Sequence, residues 1–277
     1  MEVLDAGLLA QFIALLIAAG AIAGVMAGLL GVGGGMIIVP VLLYMFTIMD
    51  VAEQHRMHLA VGTSLATIVV TSIMSVRAHR RRGSIDWSIV RAWSPWIVAG
   101  VIIGSVIAGI LDASGLKLVF GAAALLVALY MAFVPDKYTI AKEPPKGTAK
   151  AITATSIGGL STLIGIGGGT FTVPTLVLCS VQTLTAVGTA AAVGLFIAVP
   201  GAAGFILNGI GESNGFPPFS LGYVNVPAFL ILIPMTSFFA PLGARIAHAI
   251  SPRWIRRAFA VFLVVNGSNI LLSALPL

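Results

Sequence analysis

The chain has 277 residues, of which 58% are hydrophobic and only 9% charged, against roughly a quarter charged in a soluble globular domain. With a mean hydropathy of +1.08, this excludes a water-soluble fold and predicts an integral membrane protein with room for roughly eight to ten spanning segments. The single cysteine, Cys179, excludes an intramolecular disulfide framework or a cysteine-ligated cluster, and the net charge of +6 becomes a question of where the cations lie.

Met1-Glu2-Val3-Leu4-Asp5 is acidic where a secretion signal carries its positive charges, so the first apolar segment is expected to stay in the mature protein. Apolar segments run over 8–30, 34–48, 59–78, 92–111 and 115–134. A polar stretch from Pro135 to Lys150 follows, with adjacent prolines at Pro144-Pro145. The remaining segments cover 148–164, 168–181, 184–208, 223–246 and 258–275. The second segment of each set is short for a full crossing, which predicts a half-helix or a steeply packed helix. Alternating short strands are absent, which argues against a membrane barrel.

Internal similarity organises these elements. Gly31-Val32-Gly33-Gly34-Gly35, ending at Pro40, returns at an offset of 134 as Gly165-Ile166-Gly167-Gly168-Gly169, ending at Pro174. Ala60-Val61-Gly62-Thr63 returns as Ala186-Val187-Gly188-Thr189, and Pro95, Gly104 and Lys117 return at an offset of 139 as Pro234, Gly243 and Arg256. The expected fold is therefore an all-α polytopic membrane protein made of two repeats, residues 1–134 and 151–277, joined by a cytoplasmic linker at 135–150.

The cations orient the chain. Thirteen of the 15 Lys and Arg residues lie in the linker or flank the loops around Arg80–Arg82 and Arg253. If the first two segments of each half return to their starting side, all thirteen face the cytoplasm and only Arg56 and Lys117 lie outside, the bias that the positive-inside rule expects. Both termini are then outside. Five segments per half make the repeat an inverted one, and nucleic acid is not expected as a partner.

The paired glycine motifs are the main candidate site. Consecutive glycines make a poor helix, each costing about 1 kcal/mol against alanine, and a helix break inside a membrane is tolerated only where protein buries it or it lines a wet cavity. Secondary transporters place such breaks in matched positions of inverted repeats, at the substrate, and the N–H groups of a helix starting there favour an anion. Gly33, Gly34, Gly35, Gly167, Gly168 and Gly169 are thus candidate substrate contacts, with Gly31, Pro40, Gly165 and Pro174 as the helix breaks or hinges. The competing reading is close helix packing alone. The hydroxyls of Thr63, Ser64 and Thr189 are candidate ligands beside the turns, or else bond their own backbone. Arg77 and Arg245 are weaker candidates for the cytoplasmic mouth, since snorkelling anchors look the same. Leucine at Gly34 or Gly168 is expected to remove transport and leave the fold intact.

Other classes find little support. Neither glycine motif carries the lysine of a phosphate-binding loop. All nine carboxylates fall in loops or at segment ends, where proton- and sodium-coupled carriers often bury one. His55, His58, His79 and His248 are expected near the membrane surfaces. Ser64 and Ser75 have no matched deep histidine and no zinc motif occurs, so no enzyme, cofactor or metal is expected. Small-residue pairs Gly24/Gly28 and Gly100/Gly104 are expected at helix contacts.

Together these motifs, with Gly83-Ser84-Ile85-Asp86-Trp87 after an Arg-rich turn and Gly243-Ala244-Arg245 leading to Arg256-Arg257-Ala258-Phe259, resemble the TauE/SafE family, the sulfite exporter or TSUP group of bacterial membrane permeases. The resemblance covers nearly the whole chain. It implies transport of sulfite, sulfonates, thiosulfate or related organosulfur anions across the inner membrane, without choosing among them. The expected partners are a small anionic substrate and the lipid bilayer, with a homodimer left open. Ion-coupled uptake of an organosulfur compound, or a membrane assembly role without flux, remain the alternatives.

Overall fold

The computed structural model describes residues 6–30, 34–134, 139–212, 215–247 and 252–275, with side chains described throughout these except at 6–12, 27–30, 241, 244, 245, 247 and 252–255. Among the described residues there are ten α-helices. They are α1 Ala6–Leu30, α2 Gly35–Ile48, α3 Glu53–Arg81, α4 Trp87–Ile110, α5 Ala113–Phe133, α6 Gly147–Ile164, α7 Gly169–Leu178, α8 Thr183–Gly209, α9 Val226–Ala247 and α10 Pro252–Leu272. A small antiparallel ribbon, β1 Ser220–Leu221 with β2 Val224–Asn225, leads into α9.

The side-chain pattern on these helices is that of a protein solvated by lipid. On α4 the residues Ile89, Trp93, Ile97, Val101 and Ala108 are buried at helical spacing, with Ser94 and Ser105 on the same inner side. The opposite face presents Ile102, Ile103, Val106 and Ile110 outward. A helix apolar all round belongs in a membrane or a large core, and α3, α4, α5 and α8 are each long and apolar enough to cross. The helices α2 and α7 are not. With 14 and 10 residues, they reach about 21 Å and 15 Å at 1.5 Å per residue, short of a hydrocarbon core of about 30 Å. The chain is an all-α, multi-pass membrane protein.

The main helix pairs are α1 with α9, α4 with α6, α5 with α10 and α3 with α8. All four of these pairings cross between the halves of the sequence, so the halves interlock instead of standing side by side. Glycine permits the approach. A Cβ on Gly100 would overlap the Thr155 carbonyl of α6, and one on Gly104 would stand 2.7 Å from the Gly159 carbonyl oxygen. In the α1–α9 pair, a Cβ on Gly24 would stand 2.7 Å from the Thr236 carbonyl oxygen. These are small-residue contacts, in which backbones pack where side chains would keep them apart.

Side chains cap the starts of α4 and α5. The Asp86 carboxylate accepts from the backbone N–H of Ser88 at 2.9 Å and of Ile89 at 3.2 Å, capping α4. The Ser88 hydroxyl donates to the same oxygen and holds the Asp86 carboxyl below its usual range. Asp86→Ala is expected to destabilise the protein by about 1 kcal/mol, a typical cap loss, read as a lower melting temperature in detergent. Because the folded-state carboxyl titrates below the unfolded one, the contribution is present above the unfolded value and disappears as pH falls through the folded one. The difference between wild type and variant should therefore shrink in acid.

Candidate functional site

The second glycine motif is a defined helix break. Gly165 ends α6 in the left-handed region, at φ 73° and ψ 34°, where only glycine sits without a steric penalty. Its N–H donates to Thr162 O at 3.3 Å, and the Ile166 N–H donates to Ser161 O at 3.0 Å, the paired bonds of a Schellman motif. The chain restarts as α7 behind Gly168, whose carbonyl accepts from the Thr172 N–H at 2.9 Å. In the first motif Gly31 and Gly33 lie outside the described residues, while Gly34 precedes α2 and its carbonyl accepts from Ile38 N at 2.9 Å. Pro40 and Pro174 lie inside α2 and α7, where each removes one helical donor.

The two motifs meet. A Cβ on Gly35 would stand 2.5 Å from the Gly165 carbonyl oxygen and 2.9 Å from Ile166 Cα. The Ser64 hydroxyl donates to that same Gly165 carbonyl at 2.7 Å. Gly35 and Ser64 thus bind the two breaks to each other.

Beside this junction lies a cavity of about 410 Å³ whose wall includes Gly34, Gly167, Gly168 and Gly169. One face of α3 supplies Ile68, Thr71, Ser72, Ser75 and His79, its C-cap supplies Arg82, and α9 supplies Thr236 and Ser237. The cavity runs from the glycine turns to Arg82, which is exposed. The Ser237 Oγ is buried without a hydrogen-bond partner among the described residues. No carboxylate is among the described lining residues. The described acids, Asp50, Glu53, Asp86, Asp112, Glu143 and Glu212, all lie in loops or at helix starts.

Toward the other end of α3 the described side chains pack against one another. His58 Nε2 lies 3.0 Å from Ala108 O and 3.1 Å from Leu111 O, and its ring is 4.8 Å from that of Tyr223. His55 meets Phe216 edge-on at 4.8 Å. The Tyr223 hydroxyl donates to Glu212 at 2.8 Å. Burial and that carboxylate push the phenol above its ordinary value.

Several candidate residues stand elsewhere. The Thr63 hydroxyl accepts from the Asn225 N–H at 2.9 Å, and the Thr189 hydroxyl accepts from the Asp86 N–H at 2.9 Å. Each threonine thus pins the start of a helix contributed by the other half, α9 or α4, and neither lines the cavity. Arg77 is exposed and outside the lining, whereas Arg82 and His79 hold the mouth. The Arg245 side chain lies outside the described residues. The helical spacing of Ile68, Thr71, Ser72, Ser75, His79 and Arg82 was the signal available for the missed wall. One expectation is corrected: a Cβ on Gly168 would stand 2.6 Å from Ala190 O and 2.8 Å from Gly194 N, so leucine there collides with the backbone of α8 and does not spare the fold.

A family model described as "Sulfite exporter TauE/SafE" matches residues 16–270. The chain belongs to this family. Among its relatives, a "Probable membrane transporter protein" of Haemophilus influenzae is 36% identical over 268 residues, covering 94% of this chain and 98% of the relative. A protein of the same description from Methanocaldococcus jannaschii is 30% identical, covering 93% and 95%. YunE of Bacillus subtilis is 24% identical, covering 93% and 96%. No solved structure matches the chain significantly. Family and relatives make this a membrane protein of transporter kind, and the cavity at the glycine breaks is where its described residues offer room for a solute.

Proposed function

We propose that this TauE/SafE protein is a secondary transporter that exports a small sulfur-containing anion, of the sulfite or organosulfonate class, across the cytoplasmic membrane by alternating access. The observation that carries the reading is the cavity itself. It joins polar hydroxyls and the N-terminal ends of two short helices to a mouth bearing Arg82 and His79, without a carboxylate in the described wall. Helix N-termini and hydroxyl donors favour an anion, and a cationic mouth raises its local concentration.

In this proposal the Arg82 end and the linker face the cytoplasm, both termini lie outside, and the packed end around Tyr223 is the outer side. The halves are an inverted repeat. Supporting this, the contacts exchange in matched fashion: α1 with α9 and α6 with α4, Thr63 with Asn225 and Thr189 with Asp86. The moving bodies are then the exchanged pairs, which rock about the glycine breaks, in place of the two sequence halves.

Purified protein in proteoliposomes should carry sulfite, with sulfate and taurine as competitors that rank the class. A folded, inserted protein that moves no sulfur anion would overturn the proposal. Flux that instead requires a proton or sodium gradient at zero potential would replace export with ion-coupled uptake.

A further inference from the structure

We infer that His79, tethered by Ser84, is a proton-switched anion contact at the cavity mouth, so that acid on that side strengthens capture of the anion. The inference rests on the anion reading above and specifies how its site is regulated.

The composition of the wall is the first observation. His79 and Arg82 are the ionisable groups among its described residues. Arginine stays charged in a protein, whereas histidine changes charge between about pH 5 and 8. Among those residues, His79 alone can switch the charge of the wall.

The tether is the second. His79 Nδ1 lies 2.8 Å from Ser84 Oγ, and that hydroxyl is 3.2 Å from the His79 carbonyl oxygen. Ser84 is only 5% exposed, and its N–H donates to the same carbonyl at 3.1 Å. The hydroxyl can serve either state of the ring. With Nδ1 unprotonated it donates to the ring. With Nδ1 protonated it accepts, and its own proton turns to the His79 carbonyl. No heavy atom has to move. His79 Nε2 has no hydrogen-bond partner among the described residues, so the N–H there is left for a solute in both states, and only the charge differs.

The surroundings are the third. On α3 the neighbouring charge is Arg82, at the C-cap. The turn before α4 carries Asp86, whose carboxylate is engaged with the Ser88 and Ile89 N–H groups. Helices α8 and α9 add no ionisable side chain to the described wall, and the Arg245 side chain lies outside the described residues. A protonated His79 therefore stands in the same wall as Arg82 without a carboxylate, an arrangement that favours an anion. The imidazolium exists on the acid side of its titration. Anion affinity is thus highest in acid and falls as pH rises, and binding takes up protons by linkage. The proton stays on the protein and governs capture, apart from the charge that is carried.

Sulfite is a poor probe because it gains a proton itself near neutrality. Thiosulfate and sulfate keep their charge from about pH 5.5 to 8.5, the range over which histidine titrates. Each protein, checked for folding by its ligand-free melt at every pH, is titrated with both for thermal stabilisation. Wild type should bind about tenfold more tightly at the acid end, the equivalent of one pH unit of coupling. His79→Gln keeps a donor that cannot charge, and should lose the gain. Ser84→Ala removes the acceptor for the protonated ring and should reduce the gain. A merely structural loss would instead lower affinity equally at every pH. If His79→Gln does not fold, wild type decides, through proton uptake on binding measured by calorimetry in buffers of different ionisation enthalpy. Flat wild-type affinity, no proton uptake across the range, or an undiminished gain in His79→Gln overturns the switch and leaves the anion reading standing. If wild type binds neither thiosulfate, sulfate nor sulfite at any pH, the anion reading falls and the switch falls with it.

Discussion

Alanine at Gly62 or at Gly188 is expected to remove most of the folded protein, although each change adds a single methyl group. Gly62 and Gly188 open the inner halves of α3 and α8, each one residue before the threonine that pins a helix of the other half. A Cβ on Gly62 would overlap the Tyr223 carbonyl, and one on Gly188 would overlap the Ser84 carbonyl. Both obstacles are backbone, which cannot rotate away as a side chain can. The loop must retreat, and it takes with it the Thr63–Asn225 or Thr189–Asp86 hydrogen bond. Overpacking of this kind costs about 1–3 kcal/mol, and a buried donor left unpaired costs about 1–3 kcal/mol more, a large fraction of the roughly 5–15 kcal/mol by which a domain is stable. The check is the yield of monodisperse protein and its melting temperature. Gly83→Ala serves as comparison, since that glycine has positive φ but open space around it, and it should lose far less. Wild-type melting of Gly62→Ala would show that the loops are not held at these glycines.

The correspondence between these two sites also explains what could be read in advance. Tyr223 and Asn225 follow Ser84 and Asp86 at the offset of 139 that relates Pro95 to Pro234. The Ala-Val-Gly-Thr motif was therefore visible as a repeated landmark, and hydropathy placed the segments closely: 34–48 was expected where α2 spans Gly35–Ile48. What the threonines do was not visible. A hydroxyl that accepts from a loop and one that contacts a solute are the same residue type at the same spacing. The deciding partners lie 162 and 103 residues away in the chain. Ser237 was hidden for the opposite reason. A lone serine in an apolar helix normally satisfies itself, and only the three-dimensional hydrogen-bond pattern separates Ser237 from Thr71, which bonds Ile68 O at 3.2 Å. Repeat arithmetic likewise suggested two halves without revealing that the main helix pairs form between them.

Reversing a potassium-diffusion potential of about 100 mV should reverse the direction of net sulfite movement in proteoliposomes. One elementary charge crossing the membrane is worth about 2.3 kcal/mol per 100 mV, which is about a fiftyfold change in the equilibrium ratio of solute across the bilayer. The effect requires that the anion's charge cross uncompensated. The proposal of uncompensated movement rests on the wall, where no carboxylate lies among the described residues. Under the proposed export, an inside-negative membrane would drive the anion outward without a second ion. A carrier whose flux ignores the potential and follows a pH or sodium gradient would sink electrogenic export while leaving family membership untouched.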